Sequence, residues 1–146
     1  MEEDRIRIFQ GSQIDKVFLD KVVSESGDLD VIIDDGSHIN DHVIQTFQYL
    51  FPKLKKGGVY VIEDTQISYW DEYGGSSSQL NKEGTIYNFF KSLIDALNNE
   101  ELVLEGYEKS YYDKYIISMH FYHNLIFVYK GDNDELSNKV YKNKFN

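Results

Sequence analysis

Apolar positions recur along this chain with two periods, one of two residues and one of three to four, and the segments alternate. Residues 5–9 alternate apolar and polar and predict a short strand, broken by Gly11, Ser12 and Gln13. Ile14, Val17, Phe18 and Val22 then fall at helical spacing, with an expected end near Gly27. Val31, Ile32 and Ile33 form an apolar run flanked by Asp30 and Asp34, the pattern of a buried parallel strand. After a turn at Asp35, Gly36, Ser37 and His38, Asn40 or Asp41 is placed to cap a second helix. Its stripe is Val43, Ile44, Phe47, Leu50, Phe51 and Leu54. Pro52 falls near its end, and Lys55, Lys56, Gly57 and Gly58 are expected to close it. Residues 59–62 are a second buried strand, again running into acid at Glu63 and Asp64.

Residues 65–84 carry no such period, and loops of that length in small domains usually serve function. Ile86, Phe89, Phe90, Leu93, Ile94 and Leu97 return to helical spacing behind Thr85 as cap. Residues 102–104 read as a strand, and 115–121 with 125–130 as an antiparallel hairpin turning at His123 and Asn124. The order β-α-β-α-β-loop-α-β-β-β predicts an α/β fold whose early strands are parallel and joined by right-handed crossovers.

With 146 residues, 41% of them hydrophobic, the chain is sized for one domain. We expect that domain over 1–132 and a looser Asn- and Lys-rich tail over 133–146. The net charge of −10 repels phosphate backbones, which disfavours nucleic acid as a partner. No apolar run reaches the roughly 20 residues of a membrane span. With no cysteine there are neither disulfides nor thiolate metal sites, which is compatible with a cytoplasmic protein.

The chemistry concentrates where the two buried strands end. Ligands of open α/β sheets bind beyond the carboxyl ends of the strands, and here both strands end in paired acids: Asp34 with Asp35, Glu63 with Asp64. Two carboxylates ~4 Å apart repel by about 4 kcal/mol at an effective dielectric of 20. A hard divalent cation relieves that repulsion and prefers oxygen ligands, with Mg²⁺ the best fit. Strand-end acids that merely cap helices or meet ribose hydroxyls are the plainer alternative. His38, just past Asp35, is expected to face the same rim, and an imidazole is the side-chain type suited to proton abstraction near neutrality.

The runs VIIDDGSHINDHVIQTFQYLFPKLKKGGVYVIEDTQISYW and SMHFYHNLIFVYKG resemble the macrocin O-methyltransferase-like family of sugar O-methyltransferases, over about Ile6 to Gly131. The resemblance implies a Rossmann-like methyltransferase fold: a mainly parallel sheet, helices on both faces and a C-terminal antiparallel hairpin. It implies S-adenosylmethionine and Mg²⁺ as cofactors, with a sugar hydroxyl as methyl acceptor. Asp35, Glu63 and Asp64 match the metal ligands, and His38 the general base. Ser12, Gln13 and Asp34 fall on the cofactor side. In the long loop, Tyr69, Trp70 and Tyr73 are placed to stack on a sugar ring, with Gly74 and Gly75 as hinges; a satellite core or a dimer contact is the other reading of these aromatics. His120 reads as structural.

The glycine-rich turn and ribose-binding acid of a complete enzyme of this class have no match here, so the fold is expected to be N-terminally incomplete. Two further readings stay open: a non-catalytic remnant or assembly module, and a metal-dependent hydrolase using the same acids. A sheet without its usual neighbours predicts a homo-oligomer, a dimer in the simplest case.

Overall fold

The computed structural model describes residues 4–141, 144 and 145. Helix α1 (Lys16–Ser26) starts at Asp15, whose carboxylate accepts from the amides of Val17 and Phe18 at 3.0 and 3.2 Å, and ends at Gly27 with φ 76°. Strand β1 (Leu29–Asp34) leads to helix α2 (Asn40–Leu50), then through a 3₁₀ turn (Phe51–Lys53) to strand β2 (Leu54–Ile62). Two 3₁₀ turns (Thr65–Tyr69, Asp71–Tyr73) precede helix α3 (Ile86–Leu97), which Thr85 caps by accepting from the Asn88 amide. Helix α4 (Tyr111–Tyr115) runs directly into strand β3 (Ile116–Tyr122), and β3 turns at Asn124, φ 62°, into strand β4 (Leu125–Lys130). A two-residue pair, β5 (Val140–Tyr141) and β6 (Lys144–Phe145), follows. The expected tail, 133–146, lies partly outside the described residues. Within it Asn133 is tied down, its amide donating to the carbonyls of Leu97 and Asp113 at 3.2 and 3.0 Å.

The main sheet has the order β1-β2-β4-β3, with β1 and β2 parallel and the hairpin antiparallel on the far side of β2. The α/β class and the closing hairpin therefore stand as the sequence implied, in a sheet of mixed sense. Three local expectations do not. Residues 5–9 form no ladder, only a single bridge at Ile6, and run beside α1, where Arg7 donates to the Glu25 carbonyl. Residues 102–104 form no strand, and Val103 stands 88% exposed, so no neighbour completes a ladder there. Lys55, Lys56, Gly57 and Gly58 lie within β2 instead of ending α2. The register jumps from Leu29–Leu54 to Val31–Val59 because these residues bulge out, a turn made at Gly57 with φ 85°.

Side chains alternate across the sheet, and the two faces differ. Ile32, Tyr60, Ile62, Ile126 and Val128 point toward the helices and join one core with Phe47, Phe51, Ile86, Phe90 and Leu93. Phe47, fully buried, is its hub: its ring lies 4.8 to 5.9 Å from those of Phe51, Tyr60, Phe89, Phe90 and Tyr112. Leu19 and Phe18 of α1 join this same core. Among the described residues the helices thus cover one face, where the resemblance led us to expect both. The opposite face carries Val31, Val59 and Tyr129 in one row and Ile33, Val61 and Phe127 in the next. None of these six belongs to the core cluster, and Val31 and Ile33 are 55% and 59% exposed. Runs apolar on both sides are the mark of a strand meant to be covered twice.

Lys130 closes the lower end of the core. Its ammonium is buried and donates to the carbonyls of Phe51, Pro52 and Leu54 at 3.1, 2.8 and 2.6 Å, satisfying the end of α2 where the backbone runs out of partners. Burial lowers its pKa from the ordinary lysine value.

Candidate functional site

Parallel pairing of Asp34 with Ile62 brings the carboxyl ends of β1 and β2 together, and the Glu63 amide donates to the Asp34 carbonyl at 3.0 Å. The chain just beyond each strand is bent at one residue: His38 has φ 52° and Asp64 has φ 51°, both in the left-handed region that side chains avoid. These bends aim the two side chains at each other. His38 Nδ1 lies 3.4 Å from Asp64 Oδ2, and His38 Nε2 lies 3.7 Å from Asp35 Oδ1. One ligand atom from each of Asp35, His38 and Asp64 falls within 4.8 Å of the others. Gln66 donates to Asp64 Oδ1 at 3.0 Å, which leaves Oδ2 to face the imidazole. Glu63 does not join this cluster. It follows Ile62, whose side chain enters the core, so strand alternation sends Glu63 toward the uncovered face.

The chemistry of the donor set fits a small divalent cation. Two carboxylates from adjoining strand ends offer hard oxygen atoms, the arrangement is partly exposed, and open positions remain for water or a substrate.

Asp34 takes a different part. It points back into the core, where Tyr60 donates to Oδ2 and the Gln13 amide to Oδ1, each at 3.3 Å. The same Gln13 amide donates to Thr46 at 3.0 Å, and its oxygen accepts from the Ser37 amide at 2.5 Å. The Gln13 carboxamide lies close against Gly36, where a Cβ would have to displace it. Ser12 accepts from the Ile14 amide in a local turn. So Gln13 and Asp34, expected at the cofactor, are in this structure spent on holding the turn that carries Asp35 and His38. They also line a cavity of about 270 Å³ with Leu19, Ile32, Thr46 and Tyr60.

Burial pushes the Asp34 carboxyl up to about 6, against the opposing pull of Tyr60, the Gly36 amide, Gln13 and His38. The folded chain therefore keeps this proton to higher pH than the unfolded chain, which releases it near 3.9, and stability falls as pH rises through that window. Asp34→Asn, which keeps a partner for Tyr60, is expected to raise stability at pH 7 by about 2 kcal/mol and to flatten the fall between pH ~4 and ~6. Urea unfolding at both ends of the window reads this; an unchanged slope rejects the assignment.

The segment after Asp64 is ordered. Tyr69 packs 5.2 Å from Tyr87, while Trp70, 45% exposed, lies 5.8 Å from Tyr73, which leans on the core. Gly74 turns in the left-handed region with φ 81°, and Gly75 is closely packed. The Gly75 amide donates to the Trp70 carbonyl at 2.8 Å, and a Cβ on Gly75 would strike the Ile67 carbonyl. His120 lies on edge strand β3, its ring 5.3 Å from that of Tyr129.

Sequence reasoning missed Asn40. It is not the N-cap of α2, a position held by Ile39 without a side-chain bond, but its first helical residue, buried, with its carboxamide turned toward the aromatic segment. The signal was the residue type: a short amide two places past a rim histidine.

A mixed sheet whose parallel strands end in a carboxylate–imidazole cluster defines part of a Rossmann-like α/β domain with a candidate cation site. No protein-family model matches the chain. It is 46% identical over 136 residues to the mycinamicin VI 2''-O-methyltransferase of Micromonospora griseorubida, a match taking in 92% of this chain and 34% of that protein. It is 42% identical over 135 residues to the demethylmacrocin O-methyltransferase of Streptomyces fradiae, again 34% of the relative. The MycE methyltransferase of the mycinamycin biosynthetic pathway, solved in complex with Mg and SAH, superposes with a TM-score of 0.88 at 44% identity, over 96% of this chain and 36% of that one. A further structure of it also contains mycinamycin VI and gives 0.85. The chain is similar to these macrocin- and mycinamicin-type sugar O-methyltransferases, and it spans about a third of the length of the relatives it matches. Those relatives favour neither the assembly-module reading nor the hydrolase reading.

Proposed function

We propose that this chain forms the cation- and acceptor-binding part of an S-adenosylmethionine-dependent, Mg²⁺-dependent O-methyltransferase acting on a sugar hydroxyl. The observation that carries it is the convergence of Asp35, His38 and Asp64 at the ends of two adjoining parallel strands. Asp35 and Asp64 would hold the ion, and Glu63 would join them through a change of side-chain position. A divalent cation there supplies Lewis acidity, lowering the pKa of a coordinated hydroxyl. His38, between the two carboxylates, is placed to take the hydroxyl proton as the acceptor oxygen attacks the methyl group. Its left-handed backbone bend would orient the imidazole toward the hydroxyl. Trp70 against Tyr73, and Tyr69 against Tyr87, would offer a sugar ring apolar faces in the segment that follows Asp64.

The methyl donor finds less. Gln13 and Asp34 are bonded to each other, and Ser12 to its own turn, so no step is assigned to them. In the same reading the chain is cytoplasmic and works as a homodimer, which the open apolar face of the sheet supports. No helix among the described residues is long and apolar enough to cross a membrane.

Calorimetric titration of Mg²⁺ into the chain, then of S-adenosylmethionine with and without Mg²⁺, tests this. Saturable Mg²⁺ binding is the expected result. A folded chain that takes no Mg²⁺ sinks the cation site. One that takes Mg²⁺ and no cofactor locates the donor site in chain that this sequence does not include.

A further inference from the structure

We infer that Asn40 is a positioning residue whose carboxamide clamps the chain beyond His38 to the chain beyond Asp64, and so sets the spacing of the rim and the place of Trp70. The rim part of this inference rests on the cation site proposed above. Asn40 is 2% exposed. Its Nδ2 donates to the Tyr73 carbonyl at 2.8 Å and the Ile67 carbonyl at 3.3 Å. Its Oδ1 accepts from the Ile86 amide at 2.9 Å and the Ser68 hydroxyl at 3.3 Å. Two donors and two lone pairs are the whole capacity of a carboxamide, so every bond it can make is made.

The partners are what distinguish this from an ordinary satisfied core amide. They come from both 3₁₀ turns of the aromatic segment and from the first residue of α3, and the amide itself opens α2. Asn40 therefore joins the segment leaving His38 to the segment leaving Asp64, the two residues of the rim held in the left-handed region. Strained residues of this kind persist only where their surroundings over-determine them. Gln13 fixes the Asp35–His38 turn from its upstream side. Asn40 is the matching tie downstream, and the one that also reaches the Asp64 side. Without it the backbone at His38 and Asp64 is free to relax, and the carboxylate of Asp64 moves off the imidazole.

The test uses the full chain and two readouts. Trp70, the single tryptophan, reports the aromatic segment by acrylamide quenching in the absence of metal. Mn²⁺ affinity, followed by electron paramagnetic resonance, reports the rim. Asn40→Ala is expected to make Trp70 more quenchable and to weaken Mn²⁺ binding by about tenfold, the scale seen when a partner behind a ligand is lost. Lys130→Met, which removes three buried bonds at the other end of β2, is the control: lower stability in urea, with both readouts as in wild type. If Asn40→Ala does not fold, the milder Asn40→Ser takes its place. A folded Asn40 variant with wild-type quenching and Mn²⁺ affinity overturns the inference, as does equal loss in Lys130→Met. If the wild-type chain takes no Mn²⁺, the cation site fails by itself, and quenching alone decides whether the clamp holds Trp70.

Discussion

Asp35→Ala is expected to weaken Mg²⁺ or Mn²⁺ binding by more than about 100-fold while leaving the fold intact. Losing a residue behind a ligand costs up to about 100-fold, and Asp35 is proposed as a ligand itself. Asp35 is exposed, sits in the turn beyond β1, and contributes no core packing, so its removal spares the structure. What remains is His38 facing one carboxylate instead of two. That arrangement needs a cation less, and it offers the ion one hard oxygen fewer. Calorimetry on the variant decides the point, with urea unfolding to show that the chain is folded. Affinity within a few-fold of wild type would remove Asp35 from the site and, with it, the main support for metal-assisted chemistry.

Phe47→Ala is expected to cost about 4 kcal/mol, within the range for aromatic truncation in a packed core. The site explains the size. Phe47 is fully buried and meets five rings contributed by the 3₁₀ turn after α2, strand β2, helix α3 and helix α4. One side chain thus couples the element that positions the rim to every layer behind it. The space left cannot be closed by one neighbour, because the rings around it are themselves packed against the sheet or one another. For a domain whose whole stability is about 5–15 kcal/mol, this is a large share. The urea midpoint is expected to fall with the slope unchanged. A loss under about 1 kcal/mol would mean that the core is far looser than the ring geometry implies.

What the sequence made legible follows from which forces act locally. The helices α1 and α3 and the final hairpin were readable because their period, caps and turn residues lie within a few positions of each other: Asp15 and Thr85 bind amides of their own first turn, and Asn124 sits at the tip of its hairpin. The segment of Lys55 to Gly58 misled because two lysines and two glycines after an amphipathic stripe look like a helix terminator. In the fold the helix has already ended at Leu50, and the same residues bulge from a strand whose pairing depends on β1, some twenty-five positions upstream. Residues 5–9 and 102–104 alternate as strands do, yet a strand needs a partner, and alternation cannot say whether one is present. In the site, the meeting of two acidic strand ends beside His38 was legible from the strand ends, but not that Asp34 turns into the core or that Glu63 stays out of the cluster. The roles of Gln13, Asn40 and Gly75 were not, since each depends on contacts across the chain.

The open face of the sheet has a calorimetric consequence. Unfolding exposes apolar surface to water and raises the heat capacity by roughly 12–15 cal/mol/K per residue in ordinary domains. Here Val31 and Ile33 are already more than half exposed in the native chain, so that part of the increment has little surface left to come from. The stability curve of the isolated chain should accordingly be flatter with temperature than its length predicts. Whatever covers this face on association should do so with a negative heat-capacity change.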